Sequence, residues 1–197
     1  MSRTSWAGNR PQSNSQAESR ICDAALECYK RLGIARTTMT DVARQARITR
    51  PTLYKYFKNK SDILFAAVDR EAFAFAQSVV AHARTYATVE ERVVETIVFV
   101  VREFPKTPHL SLVLGEDSGA LLRARAFSDE ATSVFSQMTA EPLVELRPDL
   151  AESGIEITEV MSRFALSMIL FPGRYLIDHD GLRKLIRRRL VPGLIGT

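Results

Sequence analysis

Between Thr38 and Lys60 the chain concentrates side chains suited to one kind of chemistry. Arg50, Lys55 and Lys60 are cations, Thr38, Thr40 and Thr52 carry short hydroxyls, and Tyr54 and Tyr56 join a ring to a polar tip. Cations and hydroxyls hold phosphate oxygens. An arginine fork matches the two major-groove acceptors of guanine, and a threonine methyl or a proline ring can meet the methyl of thymine. On that chemistry Thr38 and Thr40 suit phosphates, Arg50 a guanine, and Pro51 and Thr52 a thymine methyl. Lys55 suits either phosphate or base. The same residues would also make the solvated face of an ordinary helical hairpin, so their spacing has to decide.

The spacing predicts two short helices and a tight turn. Thr38 can cap the first, over 39–46, with Asp41 three residues on as the acidic member of a capping pair. Val42, Ala43 and Ala46 give it a narrow apolar face. Residues 47–48 make the turn. Thr49 can cap the second helix, and Pro51 falls in its first turn, where a missing N–H costs little. Leu53 and Phe57 point inward, leaving Arg50, Thr52, Tyr54, Lys55 and Tyr56 outward. An exposed helix N-terminus with a cationic fringe is a helix-turn-helix arrangement.

The segment resembles the DNA-binding part of the tetracycline-repressor (TetR) family of transcriptional regulators. Thr38, Asp41-Val42-Ala43, Ala46, Thr52-Leu53-Tyr54-Lys55-Tyr56-Phe57, Lys60 and the helix start from Ser61 to Leu64 carry the resemblance, which is sharp over 17–64. It implies base contacts from Arg50, Pro51 and Thr52, and phosphate contacts from Tyr54, Tyr56 and Lys60. One position departs: the family commonly has glycine where this chain has Arg47. A left-handed conformation there would cost a non-glycine residue roughly 1 kcal/mol.

Charge supports a polyanion at one end. Residues 1–60 hold 12 of the 27 Lys and Arg and 4 of the 23 Asp and Glu, a net +8, so the remainder carries −4. A hydrophobic fraction of 46% and a charged fraction of 25% fit a water-soluble globular protein. The longest stretch without Asp, Glu, Lys or Arg is 72–83, too short to span a bilayer, and no secretory leader is visible, so a cytoplasmic protein without membrane association is expected. Cys22 and Cys28 are six apart in one helix and point to different faces, which reads as two reduced thiols.

The rest of the chain reads as helix throughout. Residues 1–15, polar with a single Trp6, read as a disordered arm whose Arg3 and Arg10 could follow DNA. A helix over 17–32 follows, ended by Gly33. Ser61 should cap a long helix to about Arg84, the mechanical link out of the head. Thr88 with Glu91 opens the next, to 104, with Val93, Ile97, Val100, Val101 and Phe104 on one face and Glu91, Arg92, Glu95 and Arg102 opposite. Short helices are expected over 107–114 and 117–126. A longer one runs from Ser128 to about Leu146, with a kink or break at Pro142. The last two span about 157–171 and 180–190, the latter with Arg183, Lys184, Arg187, Arg188 and Arg189 outward and Pro192-Gly193 at its end.

The expected fold is therefore all-α. It comprises an arm over 1–15, a three-helix DNA-binding head over 16–62 and a helical domain over 63–197. The resemblance implies that the last domain binds a small, apolar effector and pairs two copies through the last two long helices. Phe99, Phe104, Phe127, Phe135, Met138, Met161, Phe164 and Met168 could line its cavity, with Arg102 and His109 as polar contacts. Each would equally serve as core or surface. No catalytic motif, metal site or cofactor signature is present: His82, His109 and His179 sit in no nucleophile or ligand pattern. The expectation is a ligand-released repressor that binds a near-palindromic operator as a homodimer. The rivals are a DNA-binding regulator that answers to no small molecule, and a small-molecule binder that does not use its head.

Overall fold

Threonine, serine and asparagine caps set where this chain turns helical. The computed structural model describes residues 6, 11–107, 110–114, 128–171, 173 and 179–196. Among these there are ten α-helices and no strand: α1 (Asn14–Leu32), α2 (Met39–Gln45), α3 (Arg50–Tyr56), α4 (Lys60–Ala83), α5 (Val89–Glu103), α6 (Ser111–Leu114), α7 (Asp129–Leu146), α8 (Gly154–Leu170), α9 (His179–Arg189) and α10 (Val191–Ile195). Ser13, Thr38, Thr49, Thr88 and Ser128 each accept a hydrogen bond from a backbone N–H three residues on. Each satisfies one of the donors that a helix start leaves orphaned, a contribution of about 1 kcal/mol. At α4 the expected cap moves. Ser61 lies inside the helix, and the Asn59 side chain accepts from the Asp62 N–H at 2.9 Å.

The described residues divide into two compact units, and the division falls inside α4, between Glu71 and Ala72. In the first unit α1 packs on α2 and α3. Ile21, Ala25, Leu26, Cys28, Tyr29, Val42, Leu53 and Ile63 are buried there. Burying each of the larger aliphatic side chains contributes about 1.5–3 kcal/mol. Arg70 ties α4 to α1 by donating to the Ser19 carbonyl at 3.0 Å and the Ser19 hydroxyl at 2.9 Å, and it reaches the Asp23 carboxylate at 2.7 Å.

In the second unit α5 is the central helix, packed by α7, α8, α9 and α10. Val93, Val94, Ile97 and Val98 are buried on it, against a core that includes Leu143, Ile157, Met161, Ala165, Leu182 and Ile186. Helices α7 and α8 form a hairpin. A side chain at Gly154 would stand 3.0 Å from Val144 Cγ2, so the absence of a Cβ lets α8 begin this close to α7. The Thr158 hydroxyl donates to the Ser136 carbonyl at 2.8 Å across the pair.

Three sequence expectations shift. Helix α7 continues through Pro142 instead of breaking. Arg92, expected on the polar face of α5, is buried; its guanidinium donates to the Pro142 carbonyl and to the Tyr86 carbonyl at 3.0 Å. On α9, Arg183 turns back onto Glu95 at 2.8 Å and Arg187 meets Glu90 at 3.3 Å, so the outward cationic row is partly neutralised. The helix that starts near Asp180 ends at Arg189, before Pro192, and Pro192 falls in the first turn of a further short helix, α10, where proline fits. The expected helix over 117–126 lies outside the described residues.

Candidate nucleic-acid interface

The head is held by its caps and one strained turn. The Thr38 hydroxyl accepts from the Asp41 N–H at 3.2 Å and donates to the Asp41 carboxylate at 2.6 Å. The same carboxylate accepts from the Thr38 N–H at 3.1 Å, so both directions of the capping box are made. These Thr38 donors hold the Asp41 carboxyl below its ordinary range. At the other end of α2, the Arg47 N–H donates to the Arg44 carbonyl at 3.1 Å and the Ile48 N–H to the Ala43 carbonyl at 2.9 Å. This is a Schellman closure. It places Arg47 at φ 56°, the left-handed conformation that the sequence made a concern.

Thr49 then caps α3, its Oγ1 accepting from the Thr52 N–H at 3.3 Å and lying 2.8 Å from the Thr52 hydroxyl. Leu53 is fully buried and Phe57 nearly so, which fixes the rotation of the helix. Arg50, Pro51, Tyr54 and Lys55 are consequently exposed, as are Thr38 and Thr40 at the start of α2; Thr52 and Tyr56 are half-buried. The Arg50 guanidinium lies 5.9 Å from the Tyr54 ring centroid, so the two side chains share one exposed edge. All these expected contact residues except Lys60 thus stand on one short helix or at the capped start of its neighbour.

Lys60 is placed differently. Its ammonium donates to the carbonyls of Ile34 at 2.9 Å and Ala35 at 3.1 Å, just beyond the end of α1. Its own carbonyl accepts from the Tyr29 hydroxyl at 3.4 Å. Two of the three ammonium donors are thereby committed to fastening α4 to the segment that leads into α2. Trp6 belongs by composition to a polar arm. It is 4% exposed, with its ring edge-to-face on Tyr56 at 6.2 Å and the Arg20 guanidinium 4.9 Å from its centroid. An isolated aromatic in a polar stretch was the only signal for it.

The described candidate effector residues of the second unit do not gather at one place. Phe135 and Met161 line a cavity of about 10 Å³ with Thr96, Ile97, Val100, Thr139, Thr158, Ser162 and Ala165. Phe99 stacks on His82 at 4.3 Å and on Phe75 at 6.1 Å, and Phe104 meets Phe75 edge-on at 5.6 Å. Burial in this aromatic group pushes the His82 pKa down. Arg102 is on the surface beside Glu103, while Met138, Phe164 and Met168 are half-buried and off the cavity lining. His109 and Phe127 lie outside the described residues. Burial pushes the Cys22 thiol up to about 11 and raises that of Cys28, which keeps both protonated at neutral pH. No group of three metal-ligating side chains occurs among the described residues.

A capped three-helix head with a cationic, exposed second helix after a tight turn defines the helix-turn-helix class of DNA-binding domains. The model of the family described as bacterial regulatory proteins, tetR family, matches residues 21–67. An uncharacterized HTH-type transcriptional regulator of Mycobacterium tuberculosis is 26% identical over 192 residues, covering 98% of this chain and 91% of that protein. The TetR family repressor AlkX from Dietzia sp. strain DQ12-45-1b superposes with a TM-score of 0.67 at 20% identity, over 87% of this chain and 93% of that one. FadR from Bacillus subtilis in complex with stearoyl-CoA gives 0.54 at 19% identity, over 91% and 98%. Residues 21–67 thus match the DNA-binding segment of the TetR family of transcriptional regulators, and the chain as a whole shares the fold of its members. No helix among the described residues is long and apolar enough to cross a membrane.

Proposed function

We propose that this protein is a homodimeric repressor whose head, residues 16–62, binds a near-palindromic operator, and whose helical domain, residues 63–197, releases it on taking up a small apolar effector. The observation that carries the DNA reading is the first turn of α3, where Arg50 and Pro51 present an exposed guanidinium and ring beside the half-buried Thr52. Arg50 reads guanine and Pro51 with Thr52 meets a thymine methyl. Thr38, Thr40, Tyr54 and Tyr56 hold phosphates, Lys55 holds a phosphate or a base, and Lys60 fixes the head they belong to. One head buries too little DNA for strong specificity, so two are required, their recognition helices about 34–36 Å apart.

The exposed apolar residues Ile155, Val160, Leu170 and Phe171 along and just after α8 support pairing of copies, since such surface is costly to leave in water. The pairing runs through the last two long helices, α8 and α9, with the apolar contact supplied by α8. For the effector, the FadR structure with stearoyl-CoA supports an apolar ligand. Release then follows from a difference in effector affinity between two states of the dimer. Among the described residues, the cavity at Phe135 and Met161 is about 10 Å³, room for about one water, which favours a second reading, a regulator that answers to no small molecule.

Selecting bound duplexes from a random pool, with and without fatty acyl compounds, tests these readings. A two-fold symmetric consensus whose retention falls with the compound is expected. An asymmetric consensus would refute the dimer, and retention unchanged by any compound would establish the second reading. Arg50→Ala should relax preference at one base position of each half-site; an unchanged consensus would refute that assignment.

A further inference from the structure

Trp6 stands apart from the charges and hydroxyls so far assigned to DNA. It is the single tryptophan of the chain and lies in a polar stretch that, by composition, cannot build a core of its own. Yet it is buried to 4% exposure against α1 and α3. Its backbone sits at φ 71°, a conformation that a bulky residue adopts only when its surroundings hold it there. The contacts that hold it are specific. The ring meets Tyr56 edge-to-face at 6.2 Å, and the Arg20 guanidinium approaches to 4.9 Å. Edge-to-face pairs and cation–ring contacts both have preferred geometries, so they orient their partners as well as covering them. Tyr56 is the last residue of α3, where helices fray, and it has no cap of its own beyond the Phe57 N–H bond to Leu53 at 3.1 Å.

We propose that Trp6 is a positioning residue of the DNA-binding surface: it packs on Tyr56 and holds the tyrosine hydroxyl at the end of the recognition helix in the direction of the phosphate backbone. This rests on the reading of Tyr56 as a phosphate contact. The effect of Trp6 on binding passes through Tyr56. Because phosphate contacts position the protein without reading sequence, loss of Trp6 weakens all duplexes alike. An edge-to-face pair is worth about three- to tenfold in affinity when it is used fully in the bound state.

The test uses the full chain and the duplex selected for it. In the free protein, acrylamide quenching of the sole tryptophan should be well below that of free tryptophan; full accessibility would overturn the docking. Trp6→Ala should lose about three- to tenfold in affinity for specific and random duplexes alike. Trp6→Phe should stay within about twofold of the wild type, since it keeps a ring on Tyr56. In a Tyr56→Ala background, Trp6→Ala should cost nothing further. Wild-type affinity in Trp6→Ala, tighter binding, or a loss that persists without Tyr56 would each overturn the proposal. A Trp6→Phe variant that binds as weakly as Trp6→Ala would do the same. If the wild-type chain binds no duplex, the DNA reading itself fails, whereas a failure confined to the Trp6 variants leaves that reading standing.

Discussion

Replacing Arg47 by glycine should stabilise this protein, against the usual direction of mutation. Arg47 closes the Schellman turn at φ 56°, between the Arg44 and Ala43 carbonyls that accept from Arg47 and Ile48. A side chain in that conformation costs about 1–2 kcal/mol through its Cβ. Glycine removes this cost but gives the unfolded chain more freedom, which offsets about 0.4–1 kcal/mol. The net gain is about 0.5–1 kcal/mol, or a melting midpoint about 1–4 °C higher for a chain of this size. Arg47 is exposed and makes no ion pair among the described residues, so Arg47→Ala is the matched control. It removes the same guanidinium and keeps the Cβ, and it should change stability by less than about 0.5 kcal/mol. Both variants can be read by circular dichroism at 222 nm during heating. Equal stabilisation by alanine and glycine, or destabilisation by glycine, would refute the argument from backbone strain.

Lys60→Ala should destabilise the head by about 1.5–3 kcal/mol, because the Ile34 and Ala35 carbonyls lose a charged donor. Affinity should fall for every duplex while the salt slope stays unchanged; a slope lower by about 0.9 would instead mark a direct phosphate contact. Arg92→Ala should cost about 2–3 kcal/mol in urea unfolding, since the Pro142 and Tyr86 carbonyls lose their donor. Arg92→Lys should recover only part of this, as one ammonium cannot copy the guanidinium geometry. For His82 the folded pKa lies below the unfolded value near 6.5, so the unfolded state binds more protons between the two. Its stabilising effect is complete above the unfolded pKa and declines as pH falls through that window. His82→Phe should flatten the pH dependence of the melting midpoint there.

Local chemistry was legible in the sequence wherever a residue acts on its near neighbours. The caps at Thr38, Thr49, Thr88 and Ser128 follow from hydroxyl side chains placed before helical periodicity, and each makes the bond expected of it. The strain at Arg47 was visible as an arginine where a turn favours glycine. Ser61 does not cap α4 because Asn59, two residues earlier, takes the capping position with a longer acceptor side chain. Residues whose partners lie far along the chain were not legible. Arg92 looks like a surface charge by helical phase, but Pro142, fifty residues on, supplies the carbonyl that draws it inward. Lys60 carries no mark that its ammonium reaches back to Ile34 and Ala35. For the effector candidates, helical spacing identifies an inward face without identifying the helix opposite. Phe135 and Met161 thus meet at one small cavity, whereas Phe99 and Phe104 join an aromatic group around Phe75 and His82.

The claim on which the rest depends is that the face built by Thr38 to Tyr56 holds duplex DNA through its phosphates. The affinity of the full chain for its selected duplex, measured between 50 and 300 mM salt, or about that range, tests it most directly. The account predicts that log K falls linearly with log salt, with a slope of about −0.9 for each phosphate held. Affinity that does not respond to salt, or an absence of duplex binding at the lowest salt, would contradict it.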